Sequence, residues 1–535
     1  MSNLIPHWDL SNVYPSLESE AFLADGEKLV ADLEELQAFF AEKVAPITAE
    51  NTPAEIEAVL SETVDRLNTI YTFGMTYRGY ISSFVSTDSY NKTALKAMSQ
   101  LDKPMVALRM IGIQFDQWVG SLIDVLPEVL KIDGIAKEHA FGLLETAEQA
   151  KYLMSEAEES LAAELSTSGA NAWNKLQGTT TSQLSVDFEL DGEVKRLPMP
   201  ALINLHGHAD PAVRERAHHA EIKAWESVKE TLAACINGVK GTVNTLDKRR
   251  GREDALHSSL DDARIDRDTL QAMMSAMEDS FPMFRNYWNA KAKKLGKQQL
   301  AWWDLFAPVG ETDKQYNWDD AKAFILENFT KFNPEMADFA EYAFDHNWID
   351  AEQRSGKRGG AFCMGVPGVK ESRILCNFDG SLDQVFTIAH ELGHGFHNYC
   401  AYQAGKTMLQ RSTPMTMAET ASIMCETVAM NAALAKAESD AEKLTILETN
   451  LISASQVVVD IYSRFLFEKE LFERREKAEL SADELCEIMR EAQAATYGDG
   501  VDPDTYHTYM WTWKPHYYYP GLNFYNYPYT FGLLF

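Results

Sequence analysis

The 535-residue chain is long enough to bury a sizeable core, and 45% hydrophobic with 24% charged residues is the composition of a folded globular protein. Its 80 acidic residues outnumber the 49 basic ones and give a formal net charge of -31. This negative charge repels phosphate backbones and anionic lipid headgroups, so neither nucleic acid nor a membrane surface is expected as a partner.

The lack of a recognisable targeting signal and the usage of cysteine both predict a cytoplasmic location. The first ten residues lack the basic and apolar regions of a signal peptide, and no run of about 18 apolar residues follows. The six cysteines are thinly spread without a Cys-x-x-Cys pair, which argues against a disulfide framework or a thiolate zinc site. The sequence does not indicate an oligomeric state.

The first part of the chain has the periodicity of helices. Apolar residues at three- and four-residue spacing predict helices over residues 20–43, 53–73, 93–119 and 139–165. We therefore expect an antiparallel helical lobe over residues 1–182.

A β-hairpin is predicted at the start of a second lobe, residues 183–535. Residues 184–190 alternate between apolar and polar, Asp191-Gly192 provides a tight turn, and residues 193–197 return. Helical spacing then resumes over 210–247 and 268–295, so the predicted fold class is mainly α.

A second pair of strands is predicted just before the motif described next. Residues 359–364 and 372–378 are joined by a Pro367-Gly368 turn. An exposed edge of such a sheet can pair with an extended peptide backbone.

The run His390-Glu391-Leu392-Gly393-His394 predicts a metal site on a helix that starts near Asp383. Two histidines four residues apart project from one helical face, which is the spacing that two nitrogen ligands of one zinc ion need. Glu391 follows the first ligand and can act as the general base on a water at the metal.

Glu419 is the predicted third ligand. It lies 25 residues after His394, enough chain to turn and bring a second helix, starting after Pro414, back alongside the first. Glu426, two turns further, either orients a ligand imidazole or is a solvated acidic side chain. His397 either supports a ligand or packs structurally. The third histidine of the metzincin motif would stand at position 400, which is a cysteine, so that branch is disfavoured.

The last forty residues concentrate aromatic side chains around His516. Phenols and an imidazole can donate hydrogen bonds to a developing oxyanion, although packing remains the alternative for each tyrosine. Surface or helix-capping roles are predicted for the four histidines at 206, 208, 218 and 219, because their spacing does not fit one helical face.

In this combination of motifs the chain resembles the thimet oligopeptidase and oligoendopeptidase F family of zinc metallopeptidases, and more closely the bacterial oligoendopeptidase F branch. The resemblance rests on residues 390–397, on Glu419 with Ser422 and Glu426, on His516 followed by Phe524-Tyr525-Asn526-Tyr527, and on the opening segment Trp8–Pro15.

The resemblance implies a two-lobed helical ellipsoid with a deep channel that admits only short unfolded peptides. It also implies a zincin-type pair of catalytic helices beside a small β-sheet, whose strand at 359–364 holds the peptide. Family members usually continue for several tens of residues beyond the last tyrosine motif, so a truncated C-terminal end or a short branch is implied.

The same resemblance implies the site residues. One zinc ion would be bound by His390, His394 and Glu419, with Glu391 as the base. Donors to the tetrahedral intermediate would be His516 and Tyr527, followed by Tyr519 and Tyr525. The expected activity is a zinc-dependent endopeptidase, with a zinc carboxypeptidase or a catalytically silent peptide-binding protein as alternatives.

Overall fold

Helices make up most of the fold, which confirms the predicted mainly α class. The computed structural model describes residues 5–310, 315–354 and 356–534. The outermost ends of the two predicted lobes, residues 1–4 and 535, lie outside this range.

The elements before residue 310 are mostly long amphipathic helices. In chain order they are α1 (Glu20–Phe39), α2 (Pro53–Thr87), α3 (Lys92–Ser121), α4 (Leu126–Val129), α5 (Ile135–Glu138), α6 (Ala140–Gln149), α7 (Glu156–Ser168), α8 (Ala170–Gln183), β1 (Ser185–Leu190), β2 (Glu193–Pro198), α9 (Met199–Asn204), α10 (Pro211–Glu226), α11 (Lys229–Arg249), α12 (His257–Ala263) and α13 (Arg267–Lys294).

The remaining elements include all three strands of a second sheet. They are α14 (Trp318–Phe332), α15 (Pro334–Asp345), β3 (Ile349–Asp350), β4 (Phe362–Val366), β5 (Glu371–Leu375), α16 (Leu382–Gln403), α17 (Met415–Ala418), α18 (Thr420–Lys436), α19 (Asp440–Ser455), α20 (Ile461–Arg475), α21 (Ala482–Tyr497), α22 (Met510–Trp513) and α23 (Pro528–Leu534).

The helix predicted over residues 139–165 is wrong as a continuous element, and the pattern over 210–247 is likewise divided, between α10 and α11. The pattern over 139–165 belongs to two helices, α6 and α7, with a break before Ser155. The Ser155 side chain accepts a hydrogen bond from the Glu158 backbone, and the Glu158 carboxylate accepts one from the Ser155 backbone. This reciprocal capping starts a new helix where the apolar spacing alone predicts none.

The predicted hairpin is confirmed. Strands β1 and β2 pair antiparallel from Ser185 opposite Pro198 to Leu190 opposite Glu193. Asp191 and Gly192 both have positive φ, 56° and 79°, as a two-residue hairpin turn with the twist of the flanking strands requires.

The second strand pair is confirmed with shifted bounds, and it belongs to a three-stranded sheet of order β3-β5-β4. Strand β4 pairs antiparallel with β5, and the short β3 pairs parallel with β5 on its other side. In this order β4 is an edge strand. The sequence analysis missed β3 because two residues are too few for a period to show.

Packing divides the chain into two compact units. The first comprises Met1–Leu153, Lys314–Thr413 and Ala421–Ala432, and the second comprises Met154–Asp313, Pro414–Thr420 and Ala433–Phe535. Each unit has its own apolar core, the first built largely from α1 to α3 and the second around α10, α11, α13, α20 and α21. Each unit joins segments that are far apart in sequence, and the lobe boundary between residues 182 and 183 stays a prediction.

One stretch, Asp440–Arg475, has the length and composition of a membrane-spanning helix, with a mean hydropathy of 1.2 in its most apolar window. The helices of a soluble core pass the same test, so a single stretch of this kind is weak evidence. A π-helical segment, Gln456–Asp460, joins α19 to α20 within it, and its Val459 is fully buried in the second core.

Candidate metal centre and active site

Helix α16 carries the first two predicted ligands. It begins at Leu382, where the Ser381 hydroxyl accepts a hydrogen bond from the Gln384 backbone, one residue before the predicted start at Asp383. His390 and His394 lie on adjacent turns with ring centroids 5.0 Å apart. Both imidazoles are half-buried and project from the same face.

Glu419 completes a group of three side chains that could hold a metal ion. It ends the short helix α17 and caps the start of α18, rather than lying within the single helix that the sequence predicts after Pro414. One ligand atom from each of His390, His394 and Glu419 lies within 4.8 Å of the other two. Two imidazole nitrogens and one carboxylate oxygen are a donor set that zinc accepts, so these residues fit the ion that the sequence implies.

Glu426 is hydrogen-bonded to one of these candidate ligands. Its Oε2 accepts a hydrogen bond from Nδ1 of His390 at 3.1 Å. Bonding at Nδ1 fixes the tautomer that leaves Nε2 available to a metal, as carboxylates behind zinc-bound histidines commonly do. Of the two interpretations open for Glu426, the geometry favours the orienting one.

Glu391 is buried, with only 5% of its surface exposed. Its charge acts on two nearby thiols, those of Cys363 and Cys376. Burial, reinforced by the charge of Glu391, raises the pKa of Cys363 well above its ordinary range. Burial also raises the pKa of Cys376 to about 12, with Glu391 contributing. The carboxylate therefore sits in an enclosed environment on the metal-binding helix.

Gly393 allows the two metal-binding helices to meet. A β-carbon at this position would lie 2.6 Å from the carbonyl oxygen of Ala421 and 2.6 Å from Cα of Ser422. Both contacts are with the backbone of α18, which cannot swing aside as a flexible side chain can. Only glycine permits this approach, which brings the start of α18 against α16.

His397 lies one turn beyond His394 and is half-buried. Burial lowers its pKa, and the neighbouring His394 adds to that effect. Whether it supports the metal ligands or only packs remains a prediction.

The four predicted oxyanion donors differ in their surroundings. His516 is buried against Tyr517, with ring centroids 4.4 Å apart. Burial, together with cations that include Arg464, lowers the pKa of His516 to about 2, which keeps it neutral. Tyr519 is 38% exposed. The hydroxyl of Tyr525 shares a 2.7 Å hydrogen bond with that of Tyr529.

Tyr527 is held in the core. Its hydroxyl donates to the carbonyl oxygen of Ser259 at 3.0 Å and lies 3.2 Å from the hydroxyl of the same residue. Burial raises its pKa to about 12. To donate to a reaction intermediate it would first have to release Ser259.

Tyr529 is a candidate that the sequence analysis did not single out. It lies on α23, which packs against α17. Burial, the hydrogen bond with Tyr525 and the charge of Glu419 all raise its pKa, so its phenol lies within the field of a predicted metal ligand. The spacing of Tyr525 and Tyr529, four residues apart, is the sequence signal that could have paired them.

The surface or capping prediction is wrong for two of the four histidines before residue 220. His206 and His218 are buried, 6% and 3% exposed. His208 accepts a hydrogen bond from the Asp210 backbone before α10, and His219 is exposed, as predicted.

Comparison with known proteins gives the family. The profile of "Peptidase family M3" matches residues 205–533, and that of "Oligopeptidase F" matches residues 124–185. The first match covers more than half of the chain. The chain belongs to peptidase family M3. This confirms the resemblance drawn from the sequence motifs.

Relatives within family M3 are distant in sequence. The chain is 24% identical to Oligopeptidase PepF of Bacillus subtilis over 438 residues, which cover 79% of this chain and 64% of the relative. It is 26% identical to the oligoendopeptidase F homolog of Lactococcus lactis over 321 residues, 60% of this chain and 53% of the relative. The matches thus span less than two thirds of the length of these relatives.

Two solved structures share the fold of this chain over nearly all of its length. A putative peptidase from Chlamydophila abortus has a TM-score of 0.78 at 19% identity, covering 100% of this chain and 88% of that one. Oligoendopeptidase-F from Enterococcus faecium has a TM-score of 0.68 at 18% identity, covering 96% and 86%.

Proposed function

We propose that this chain is a zinc-dependent endopeptidase that hydrolyses internal bonds of short, unfolded peptides. The observation that carries the proposal is the convergence of His390, His394 and Glu419, with Glu391 buried on the same helix. Membership of family M3 supports a peptide hydrolase, and the names of the relatives support oligopeptides as its substrates.

The ligand side chains would hold one zinc ion, which when bound would polarise the scissile carbonyl and lower the pKa of a water in the site. Glu391 takes a proton from the attacking water as the new C–O bond forms. It then delivers that proton to the amine nitrogen as the C–N bond breaks. Glu426 keeps His390 in position throughout.

Negative charge develops on the carbonyl oxygen during attack and needs hydrogen-bond donors. The resemblance suggests His516, Tyr527, Tyr519 and Tyr525 for this role. The field of Glu419 at Tyr529 favours the Tyr525 and Tyr529 pair among the phenols. The neutral state of His516 suits a donor that must not repel the zinc ion.

Substrate binding would use the edge strand β4. Strand β4 pairs with β5 on one side only among the described strands, so an extended peptide can add to its other side. Backbone pairing of this kind is independent of side chains and suits an enzyme for varied short peptides. A cytoplasmic location is part of the proposal, supported by six cysteines that are all free thiols.

The decisive experiment uses a peptide of about ten residues blocked at both ends, with products mapped by mass spectrometry. The zinc-loaded protein is expected to cleave internal bonds, and a chelator should abolish cleavage. Glu391→Gln should lower turnover by at least about 100-fold because an amide cannot accept the proton. Glu128→Gln, a change on an exposed carboxylate, is the matched control and should cleave normally.

Two other outcomes would overturn the proposal. Release of single residues from the C-terminus of an unblocked peptide, without internal cleavage, would indicate a carboxypeptidase. Folded, zinc-loaded protein that binds the peptide without cleaving it would indicate a silent binding protein.

A further inference from the structure

A second group of metal-binding side chains lies in the interior of the second compact unit, apart from the residues assigned above. His206 follows α9 in a short 3-10 turn, and His218 and Glu221 lie three residues apart on one face of α10. They are 6%, 3% and 0% exposed. A fourth buried side chain, His507, comes from the segment before α22 and is 1% exposed.

The ligand atoms of the three residues converge. One atom from each of His206, His218 and Glu221 lies within 4.8 Å of the other two. Nε2 of His206 is 3.3 Å from Oε2 of Glu221. Two ligands bound at about 2.1 Å to a tetrahedral ion are about 3.4 Å apart, so this pair has the separation of two ligand atoms on one metal ion.

Glu221 is fixed by its other oxygen. Oε1 accepts hydrogen bonds from Nε2 of His507 at 2.8 Å and from the indole of Trp225 at 3.0 Å. This arrangement turns Oε2 toward His206, and it is the support that carboxylate ligands commonly receive from residues behind them. His507 and Trp225 thus act as positioning residues.

Each of the three residues also has one buried polar atom that the protein does not satisfy. Nε2 of His206, Nδ1 of His218 and Oε2 of Glu221 are buried and have no hydrogen-bond partner among the described residues, because the His206 and Glu221 atoms are close without being aligned. A buried polar atom left unpaired destabilises the folded protein, and a charged one does so more strongly. Unpaired atoms on three residues whose ligand atoms converge are what a shared cation would satisfy.

We propose that His206, His218 and Glu221 form a second site for a divalent transition-metal ion, of the zinc or iron(II) class. Two imidazoles and one carboxylate are a donor set that both ions accept. His206 and Glu221 also line a cavity of about 330 Å³, which gives room for an exchangeable ligand on the metal. The site is independent of the catalytic zinc, so it stands even if the proposed peptidase activity fails.

Metal content tests the proposal without an activity assay. The full-length protein is loaded separately with zinc and with iron(II) under anaerobic conditions. Unbound metal is removed by desalting, and the metal content per chain is measured by elemental mass spectrometry. We expect two ions per chain in the wild type and one in His394→Asn, which disables the catalytic ligand set. In the His394→Asn background, adding His218→Asn or Glu221→Gln should remove the remaining ion.

His219→Asn is the matched control, since it removes an exposed imidazole from the neighbouring position and should leave the metal count unchanged. Cobalt(II) provides a second readout in the His394→Asn background: a tetrahedral visible absorption band should appear and be lost with Glu221→Gln. Circular dichroism confirms that each variant is folded. The second site would be overturned if folded His394→Asn bound no metal under either loading condition. It would also be overturned if the ion bound by His394→Asn were retained after adding His218→Asn and after adding Glu221→Gln.

Discussion

Replacing Gly393 with alanine should damage the metal centre without touching a ligand. The added β-carbon would lie 2.6 Å from backbone atoms of Ala421 and Ser422, whereas non-bonded carbon atoms normally approach to about 3.5–4.0 Å. Helix α18 must therefore move by about 1 Å relative to α16. The metal-bearing helices would be pushed apart at the point where Glu419 leads into α18.

This displacement allows an estimate of the effect. Overpacking of a close contact costs about 1–3 kcal/mol of stability. Metal–ligand distances vary by only about 0.2 Å, so a shift of 1 Å exceeds what the site tolerates. We expect zinc affinity to fall by at least about 100-fold, which corresponds to about 2.7 kcal/mol of binding free energy.

Competition with a chromophoric chelator measures the zinc affinity of Gly393→Ala, and thermal unfolding measures its stability. Gly142→Ala is the matched control: this exposed glycine in α6 has no atom within 4 Å of its added β-carbon. Alanine there should raise stability by about 0.5–1 kcal/mol and leave zinc binding unchanged. Wild-type zinc affinity in Gly393→Ala would refute the claim that this helix contact positions the site.

Three further predictions concern Glu426 and the candidate oxyanion donors. Glu426→Gln should lower zinc affinity about 10–100-fold, since His390 loses its orienting carboxylate; the chelator competition should show no change if Glu426 is merely solvated. Tyr529→Phe should lower turnover at least about 10-fold on a blocked peptide, while Tyr527→Phe should cost about 1 kcal/mol of stability through its lost bond to Ser259 and leave turnover nearly intact. The opposite pattern would make Tyr527 the donor. His516 has a pKa of about 2 in the folded protein against 6.5 in the unfolded chain, so the unfolded chain takes up a proton as the pH falls and the folded protein loses stability. The free energy of unfolding, measured in urea, should therefore drop by about 2 kcal/mol less between pH 7 and pH 5 in His516→Gln than in the wild type. The control His219→Gln should lose as much as the wild type.

Several features follow from the sequence alone because they rest on contacts within a few residues. The spacing of His390 and His394 makes them neighbours on any helix, and Asp191-Gly192 specifies a hairpin turn wherever the strands pack. The start of α10 is equally local, since Asp210 caps it and Pro211 occupies its first turn. In each case the interaction that decides the structure closes within four residues.

Other features depend on which distant segments meet, and no local period records that. The parallel pairing of β3 with β5 joins residues 25 apart, and the fit of Gly393 against Ala421 depends on how two helices approach. The same holds for His206 and His218, whose spacing predicts a surface position although the fold buries both beside Glu221. Local sequence patterns thus determined which elements form and which residues they present. Long-range packing decided which of those residues share a site, because burial and convergence are properties of contacts between elements.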